Sequence, residues 1–225
     1  MVVDTERCIG CHACTIACNA EHDLPAGEEW IRVDTEGGDG TDEPAGDYPV
    51  VGASTGDSSN SLALSYRPIP CQHCEAAPCV AGCPTDALHQ REDGVVAIDH
   101  DACIGCGVCV DACSYDALTM RGGETGDRDG PSGSTHVAKC TFCSDRIDEG
   151  RDPACVVACP ADALLFGDLE EQGSTVSRYR EGYDTQRLGD PDRVHPRVYY
   201  VEGEMTPGRR RQGDAVESAR PPSDE

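Results

Sequence analysis

The sequence predicts an α+β fold in which one structural unit recurs along the chain. The cysteines fall into four groups that each end in the step CxxxC, which places both cysteines on one face of a helical turn. Short stretches of branched or aromatic residues, each of strand length, flank these groups. The resulting order of strand, cysteine loop, short helix and strand indicates an internal repeat.

Four stretches are the predicted strands, and turn-forming residues lie near each of them. Between them, CxxxC steps such as CVVAC and CVDAC predict single helical turns. The predicted strands are Met1–Asp4, Trp30–Val33, Val95–Asp99 and Ala163–Phe166.

The sixteen cysteines form these groups with none left over. The first and third groups read CxxCxxCxxxC, the run of bacterial ferredoxins, in which three close thiolates bind one 4Fe-4S cubane and the fourth reaches a second cluster. The second and fourth groups widen the middle gap to four and eleven residues and keep the closing step. The groups are Cys8, Cys11, Cys14, Cys18; Cys71, Cys74, Cys79, Cys83; Cys103, Cys106, Cys109, Cys113; and Cys140, Cys143, Cys155, Cys159.

Zinc and disulfide bonds are the alternative uses of these cysteines. Structural zinc pairs two CxxC knuckles and has no use for three cysteines at three-residue steps followed by a fourth. A disulfide framework suits a small secreted domain, whereas this chain has 225 residues and we find no secretory signal in it. The repeated spacing therefore favours cubanes, and a brown protein that bleaches with dithionite distinguishes them from zinc.

The crossing of the fourth cysteine predicts which cysteines share a cluster. The second and third groups are adjacent in the sequence and are expected to form one two-cluster unit, which leaves the first and fourth groups to pair across the chain. The predicted ligand sets are Cys8, Cys11, Cys14 and Cys159 for cluster one; Cys71, Cys74, Cys79 and Cys113 for cluster two; Cys103, Cys106, Cys109 and Cys83 for cluster three; and Cys140, Cys143, Cys155 and Cys18 for cluster four.

These pairings predict two pseudo-symmetric ferredoxin-like units, each holding two 4Fe-4S clusters, with long irregular insertions. The insertions are rich in Gly, Asp and Ser and lack apolar periodicity. The predicted ranges are 1–35 with 136–202 for the first unit, 66–120 for the second, 36–65 for an acidic Gly/Ser-rich insertion, 121–135 for a linker and 203–225 for a disordered tail.

Acidic residues outnumber basic ones by 42 to 18, and the formal net charge is −24. The acidic residues are spread along the chain, which disfavours an acidic docking arm. Such a charge destabilises a compact state in dilute buffer, whereas about 1 M salt shortens the screening length to roughly 3 Å and removes most of the repulsion. The composition therefore predicts a halophilic protein, with an acidic face for a basic partner as the alternative, and it disfavours nucleic acid as a partner.

No apolar run approaches the ~18 residues of a spanning helix, so no direct membrane span is expected. The longest candidate, ACVVACPADALLF, is interrupted by Pro160 and Asp162. Cys8 lies so close to Met1 that no cleavable signal is expected before it. We therefore expect either a cytoplasmic protein or one exported in folded form with a signal-bearing partner.

Four motifs follow one another in a characteristic order: CIGCHACTIAC, PCQHCEAAPCVAGCPTDAL, DACIGCGVCVDAC, and KCTFCSDRIDEGRDPACVVACPADALLFGDLEE. Over about residues 2–201 this order resembles the iron-sulfur electron-transfer (beta) subunit of the dimethyl sulfoxide reductase family of molybdenum oxidoreductases, of the polysulfide, thiosulfate and dimethyl sulfoxide reductase type. The resemblance implies a non-catalytic four-cluster relay of anaerobic respiration, between a molybdopterin catalytic subunit and an integral membrane quinol-oxidising anchor subunit. It implies the crossed ligand sets as well. We expect the extracytoplasmic face of the membrane, by co-export, with the cytoplasmic face as the alternative.

Every ligand position is a cysteine, so four 4Fe-4S clusters are expected, whereas a family member with tryptophan at a ligand position carries a 3Fe-4S cluster. Ser114 follows Cys113 where members often have proline, and its N–H and hydroxyl are expected to raise the potential of that cluster. His12 and His73 lie between ligand cysteines and are expected to be ordinary loop residues, with hydrogen bonds to sulfur or proton carriage as the alternative.

Lys139 is the only lysine of the chain and precedes Cys140. It has two interpretations: a cation that stabilises a reduced cluster, or a plain surface residue. We find no nucleophile paired with a base, so the chain is not expected to be catalytic in itself. The alternatives to a relay subunit are a free soluble polyferredoxin that serves several oxidoreductases and a cluster-based redox sensor.

Overall fold

The computed structural model describes residues 1–36, 65–122 and 135–201. The predicted insertion, linker and tail at 36–65, 121–135 and 203–225 lie almost wholly outside the described residues. No helix within the described ranges has both the length and the apolar character needed to cross a membrane.

The strands are β1 Val2–Asp4, β2 Ile31–Glu36, β3 Ser65–Pro70, β4 Leu88–Gln90, β5 Val96–Ile98, β6 Leu118–Arg121, β7 His136–Lys139, β8 Leu164–Leu165, β9 Thr185–Gln186 and β10 Tyr199–Val201. The helices are α1 Ala13–Glu21, α2 Pro78–Ala81, α3 Val108–Ala112, α4 Ser144–Asp148, α5 Ala154–Val157, α6 Thr175–Gly182 and α7 Pro191–Val194.

A four-stranded sheet in the order β8-β1-β10-β9 brings distant parts of the chain together. Strand β1 runs parallel to β10 and antiparallel to β8. Val2 and Val3 of β1 are fully buried, and burial of a valine side chain contributes about 1.5–3 kcal/mol. The sheet holds residues 2–4 against residues 164–165 and 199–201, and α1 packs against α5 beside it. The first and fourth cysteine groups therefore lie next to each other.

The other strands in the described ranges form antiparallel pairs: β2 with β3, β4 with β5, and β6 with β7. The β4–β5 pair lies between the second and third cysteine groups along the chain. The β6–β7 pair sets Leu118 opposite Lys139, the residue that precedes Cys140. The strand that follows the third cysteine group is therefore bonded to the strand that precedes the fourth.

Cysteine side chains are central to two of the three buried apolar clusters among the described residues. In these two clusters the sulfur atoms take places that aromatic or aliphatic side chains fill in an ordinary core. The first contains Cys14, Cys18, Cys71, Cys140 and Cys155 beside Trp30, Phe142 and Tyr200. The second contains Cys74, Cys79 and Cys109 beside Leu88, Val96, Tyr115 and Leu118.

The predicted strands and helical turns are confirmed. Strands β1, β2, β5 and β8 coincide with or overlap the four predicted stretches. Helices α1, α2, α3 and α5 each begin one residue before the first cysteine of a CxxxC step. The sequence did not predict β3, because it contains Pro68 and Pro70; β3 tolerates them since it pairs with β2 on one side only.

Candidate metal centres

Two glycines shape the CIGC loops of the first and third cysteine groups. Gly10 and Gly105 adopt φ values of 66° and 65°. A Cβ atom at Gly10 would lie 2.4 Å from the ring of Tyr66, and one at Gly105 would lie 2.3 Å from the carbonyl oxygen of Thr135. Glycine is required at both positions because the backbone is left-handed and the neighbouring chain approaches closely.

Residues other than glycine also adopt left-handed conformations in the cysteine loops. They are His12, His73, Phe142 and Cys143, with φ values between 42° and 57°. Such a conformation costs on the order of 1–3 kcal/mol and persists only where the surroundings hold it, which is typical of ligand-binding sites. The strained backbone of these loops therefore indicates that they bind a ligand.

Three cavities in the described part of the chain are each lined by four cysteines. Site one is lined by Cys8, Cys11, Cys14 and Cys159, and Val33, Pro68 and Leu164 complete its wall. Site two is lined by Cys71, Cys74, Cys79 and Cys113, together with His73, Val96 and Tyr115. Site three is lined by Cys83, Cys103, Cys106 and Cys109, together with Leu88 and Val137.

The three cavities have similar empty volumes of about 330, 350 and 320 Å³ for sites one, two and three. Each combines three cysteines of one group with the last cysteine of another group. These combinations are the same as the first three predicted ligand sets.

The remaining cysteines, Cys18, Cys140, Cys143 and Cys155, define site four. All four are buried, with exposed fractions between 5% and 9%. Burial raises the pKa of Cys18, and the nearby thiols of Cys140, Cys155 and Cys143 raise it further. Burial likewise raises the pKa of Cys155, and the thiols of Cys140 and Cys143 add to this effect. These effects indicate that the four side chains lie close together.

The four sites fall into two classes by burial. At sites two and four, which we call the inner sites, at least three of the four cysteines are buried. At sites one and three, the outer sites, only Cys14 and Cys109 are buried, while Cys11 and Cys106 are exposed. Each outer site therefore opens to solvent through one of its cysteines.

Burial disfavours the thiolate form of several of these cysteines. It raises the pKa of Cys14 and Cys79 to about 11, and that of Cys74 and Cys140 to about 12. Neighbouring thiols strengthen the effect at Cys74 and Cys140. Such thiols keep their protons at neutral pH unless a metal cation replaces them, so metal binding at these sites releases protons.

Cys83 of outer site three behaves differently. Burial would raise its pKa, but the backbone N–H groups of Leu88, Thr85 and Ala87 outweigh burial and lower it. These N–H groups favour the thiolate form without a cation. The backbone around Cys83 therefore stabilises a negatively charged sulfur at site three.

The residues that line these cavities fit an iron-sulfur cluster. Each cavity offers four thiol donors and apolar walls, and neither Asp nor Glu lines any of the three. Soft thiolate ligands in a set of four suit iron-sulfur clusters or zinc. Within the described ranges, no three side chains of His, Cys, Asp or Glu converge on a single metal ion; the cysteines surround a cavity instead.

His73 and Lys139 are buried, with exposed fractions of 1% and 0%. The His73 ring stacks on Phe142 with a centroid separation of 3.7 Å, and its Nδ1 accepts a hydrogen bond from the Val96 N–H at 3.0 Å. Burial, and secondly the charge of Lys139, keeps the pKa of His73 well below its usual range. His73 is therefore a loop residue, as expected, but a buried one, whereas the surface interpretation of Lys139 is wrong.

His12 and Ser114 lie at the surface. The Ser114 hydroxyl accepts a hydrogen bond from Arg193 at 3.2 Å. It is therefore engaged by an arginine, and its predicted effect on a cluster potential stays a prediction.

The sequence did not reveal His22 as part of site four. Its Nε2 lies 3.3 Å from Cys143 Sγ, and its ring packs near Trp30 with a centroid separation of 4.7 Å. His22 follows α1 directly, so the helix that carries Cys18 also positions this imidazole. No spacing links residues 22 and 143, and only the packing of the first group on the fourth brings them together.

Comparison with known proteins supports the iron-sulfur assignment. Residues 62–169 match a family model described as a 4Fe-4S dicluster domain, and residues 7–87 match a second model with the same description. A protein of Halobacterium salinarum, assigned by name as an iron-sulfur subunit of dimethyl sulfoxide reductase, is 48% identical over 97% of this chain and 84% of the relative. The predicted halophilic origin agrees with this match.

Two further relatives are more distant. The thiosulfate reductase electron transfer subunit of Salmonella typhi is 39% identical over 76% of each chain. A polysulfide reductase chain of Wolinella succinogenes is 32% identical over 89% of this chain and 92% of the relative.

Proposed function

Because this protein belongs to the iron-sulfur electron-transfer subunits of the dimethyl sulfoxide reductase family of molybdenum oxidoreductases, we propose that it relays single electrons through four 4Fe-4S clusters. Its proposed partners are a molybdopterin catalytic subunit at one end and an integral membrane quinol-oxidising anchor subunit at the other. The observation that carries the proposal is the set of three cavities, each lined by four cysteines from two different groups.

The proposed ligands are the four cysteines of each site: Cys8, Cys11, Cys14 and Cys159 at site one; Cys71, Cys74, Cys79 and Cys113 at site two; Cys103, Cys106, Cys109 and Cys83 at site three; and Cys140, Cys143, Cys155 and Cys18 at site four. Two pseudo-symmetric ferredoxin-like units then hold two clusters each. The cavity linings support three of these sets. The mutual effect of the thiols on their pKa values supports the fourth.

The helices support a linear order of the sites. On α1, Cys14 of site one and Cys18 of site four are four residues, about one turn, apart. Cys79 of site two lies on α2 and is likewise four residues before Cys83 of site three. Between the two units, the Cys71 thiol raises the pKa of Cys140, which indicates that sites two and four are neighbours. The proposed order is therefore one, four, two, three, with the two exposed sites at the ends.

This order suits a relay between two partners. A 4Fe-4S cluster bound by four cysteines supplies one-electron transfer without proton or group transfer. The chain contributes burial of the inner sites, which excludes water, and an exposed cysteine at each outer site, where a partner has access. A free polyferredoxin and a redox sensor are the competing functions, and neither requires two fixed partners.

The test is anaerobic purification of the complex from membranes, followed by metal, sulfide and subunit analysis. We expect a brown protein with about sixteen iron and sixteen sulfide per chain, eluting with a molybdopterin-containing chain. Colourless, zinc-loaded protein would remove the cluster assignment. A cluster-loaded monomer with no large partner would favour the free polyferredoxin.

The proposed location is the extracytoplasmic face of the membrane, peripheral to it and reached by export with a signal-bearing partner. Protease treatment of intact cells, with permeabilised membranes as control, tests this location. Digestion of the protein before permeabilisation is expected, and protection would place it on the cytoplasmic face.

A further inference from the structure

The only lysine of this chain, Lys139, is enclosed between the two inner sites. It ends β7, and its exposed fraction is 0%. Its ammonium group donates to the carbonyl oxygen of Val96 and to that of Cys140, the latter at 2.9 Å. Two backbone carbonyls thus hold the charged end in a fixed place.

Carbonyl groups alone do not neutralise a buried cation. Moving an ammonium group out of water is costly unless an opposite charge or strong hydrogen bonds compensate. No carboxylate in the described part of the chain forms an ion pair with Lys139. Its two hydrogen-bond acceptors instead belong to the two inner sites, because Val96 lines site two and Cys140 is a proposed ligand of site four.

The surroundings of Lys139 also join the two inner sites. Val96 accepts from Lys139 through its carbonyl and donates its N–H to His73 Nδ1 at 3.0 Å. His73 lies in the loop of site two, and the ring on which it stacks, Phe142, lies in the loop of site four. Val96 therefore bonds both Lys139 and the loop of site two, and the His73–Phe142 stack connects that loop to the loop of site four.

We propose that Lys139 is a buried positive charge shared by sites two and four, which stabilises the reduced state of both inner clusters. This inference rests on the proposed function. Reduction adds one negative charge to a cluster, and burial away from water disfavours that charge. A fixed cation nearby offsets the penalty, and its effect is strong because screening by water is weak in the interior. Each outer site has an exposed cysteine, so solvent serves the same purpose there.

The test compares Lys139→Met and Lys139→Gln with Lys139→Arg in the intact complex. Redox titration followed by EPR gives the midpoint potential of each cluster. In the neutral variants we expect the reduction equilibrium of both inner clusters to fall at least about tenfold, which corresponds to about 59 mV per one-electron couple. The outer clusters keep their potentials. The matched control is Arg180→Gln, which removes an exposed cation over the Tyr199 ring and is expected to change none of the four potentials.

The outcomes separate this inference from the proposed function. Wild-type protein without iron and sulfide would defeat the proposed function itself. Iron-loaded neutral variants with unchanged inner potentials, or with equal shifts at all four clusters, would overturn the role of Lys139 alone. Should the neutral variants lose only the inner clusters while Lys139→Arg retains them, the charge is required at that place and the inference stands. Loss of the outer clusters as well would mean a general folding role and would overturn it.

Discussion

The inner and outer sites of this molecule have the same donor set and opposite surroundings. The four cysteines of site four are at most 9% exposed, and Cys18, Cys140 and Cys155 belong to the same buried cluster as Trp30, Phe142 and Tyr200. Each outer site has an exposed cysteine, and an isoleucine of the same loop, Ile9 or Ile104, is more than 60% exposed. Identical ligands therefore serve two purposes: inner sites are part of the core, and outer sites are part of the surface.

From this difference we expect folding and metal binding to be coupled more strongly at the inner sites than at the outer sites. Removing the occupant of an inner site leaves buried thiols with no partner at the centre of the packing, whereas removing the occupant of an outer site affects a loop. Paired substitutions and one kinetic experiment test this comparison.

The largest difference is expected between Cys155→Ser and Cys106→Ser. Structural metal sites contribute on the order of 10 kcal/mol to folding, and Cys155 lies in the main buried cluster. We expect Cys155→Ser to lose most iron and its cooperative unfolding transition. Cys106→Ser, at an exposed position, is expected to lose one cluster and keep the remaining three. Iron analysis and thermal unfolding measure both, and equal losses in the two variants would erase the distinction.

A smaller difference is expected between His73→Asn and His12→Asn. Both histidines adopt left-handed backbone, which asparagine tolerates, so backbone strain is matched. His73→Asn removes the stack on Phe142 and the acceptor of the Val96 N–H, at a cost of about 3 kcal/mol. His12→Asn at the surface is expected to change stability by less than about 0.5 kcal/mol. Denaturant unfolding under anaerobic conditions compares them.

The third pair contrasts a buried ion pair with an exposed one. The Glu28 carboxylate accepts a hydrogen bond from Arg121 Nε at 3.0 Å and further hydrogen bonds from the Thr119 hydroxyl and the Trp30 indole N–H. Burial raises the pKa of Glu28, but these hydrogen bonds outweigh burial and lower it. We expect Glu28→Gln to cost about 2 kcal/mol at pH 7.

The pH dependence of this pair follows from the lowered pKa. The contribution of Glu28 is complete above its unfolded pKa of about 4.5 and is lost as the pH falls through its lower folded pKa. The difference between wild type and Glu28→Gln should therefore shrink below about pH 4.5. The control is Glu149→Gln, whose pair with Arg151 is exposed and contributes about 0–1 kcal/mol. A difference that stays constant with pH would speak against the carboxylate as its source.

The smallest expected difference is kinetic. Brief treatment of the holoprotein with ferricyanide should destroy the outer clusters about tenfold faster than the inner ones, a difference of about 1.4 kcal/mol in barrier. Access through Cys11 and Cys106 is the physical reason. We expect iron to be released in two phases of similar amplitude. A single phase would show that burial does not protect the inner clusters from oxidation.

The elements that cysteine spacing dictates could be predicted from the sequence. The CxxxC helices and the flanking strands are local features, and group order together with the crossing of the fourth cysteine predicts the same sets of four that line the three cavities. The sequence could not predict β3, whose prolines are acceptable only because it is an edge strand. Helix α6 had a local signal that was missed: Ser174 caps it by accepting from the Ser177 N–H.

The burial of single polar residues could not be predicted. Lys139 and His73 lie in short polar or mixed segments that look like surface loops when taken alone. They are buried by contacts between residues far apart in the chain: Lys139 donates to the Val96 carbonyl oxygen, and the His73 ring stacks on Phe142. The same reason hid His22 beside Cys143, since the two are 121 positions apart.

The pairing of residues 2–4 with residues 199–201 has a consequence for biosynthesis. The ribosome completes the cysteines of sites two and three once residue 113 has been made, whereas site four waits for residue 155, site one for residue 159 and the four-stranded sheet for residue 201. All cysteines of the second unit are therefore synthesised before the sheet of the first unit can close. The four cysteines of site two are thus synthesised before Lys139, the cation proposed to act on that site.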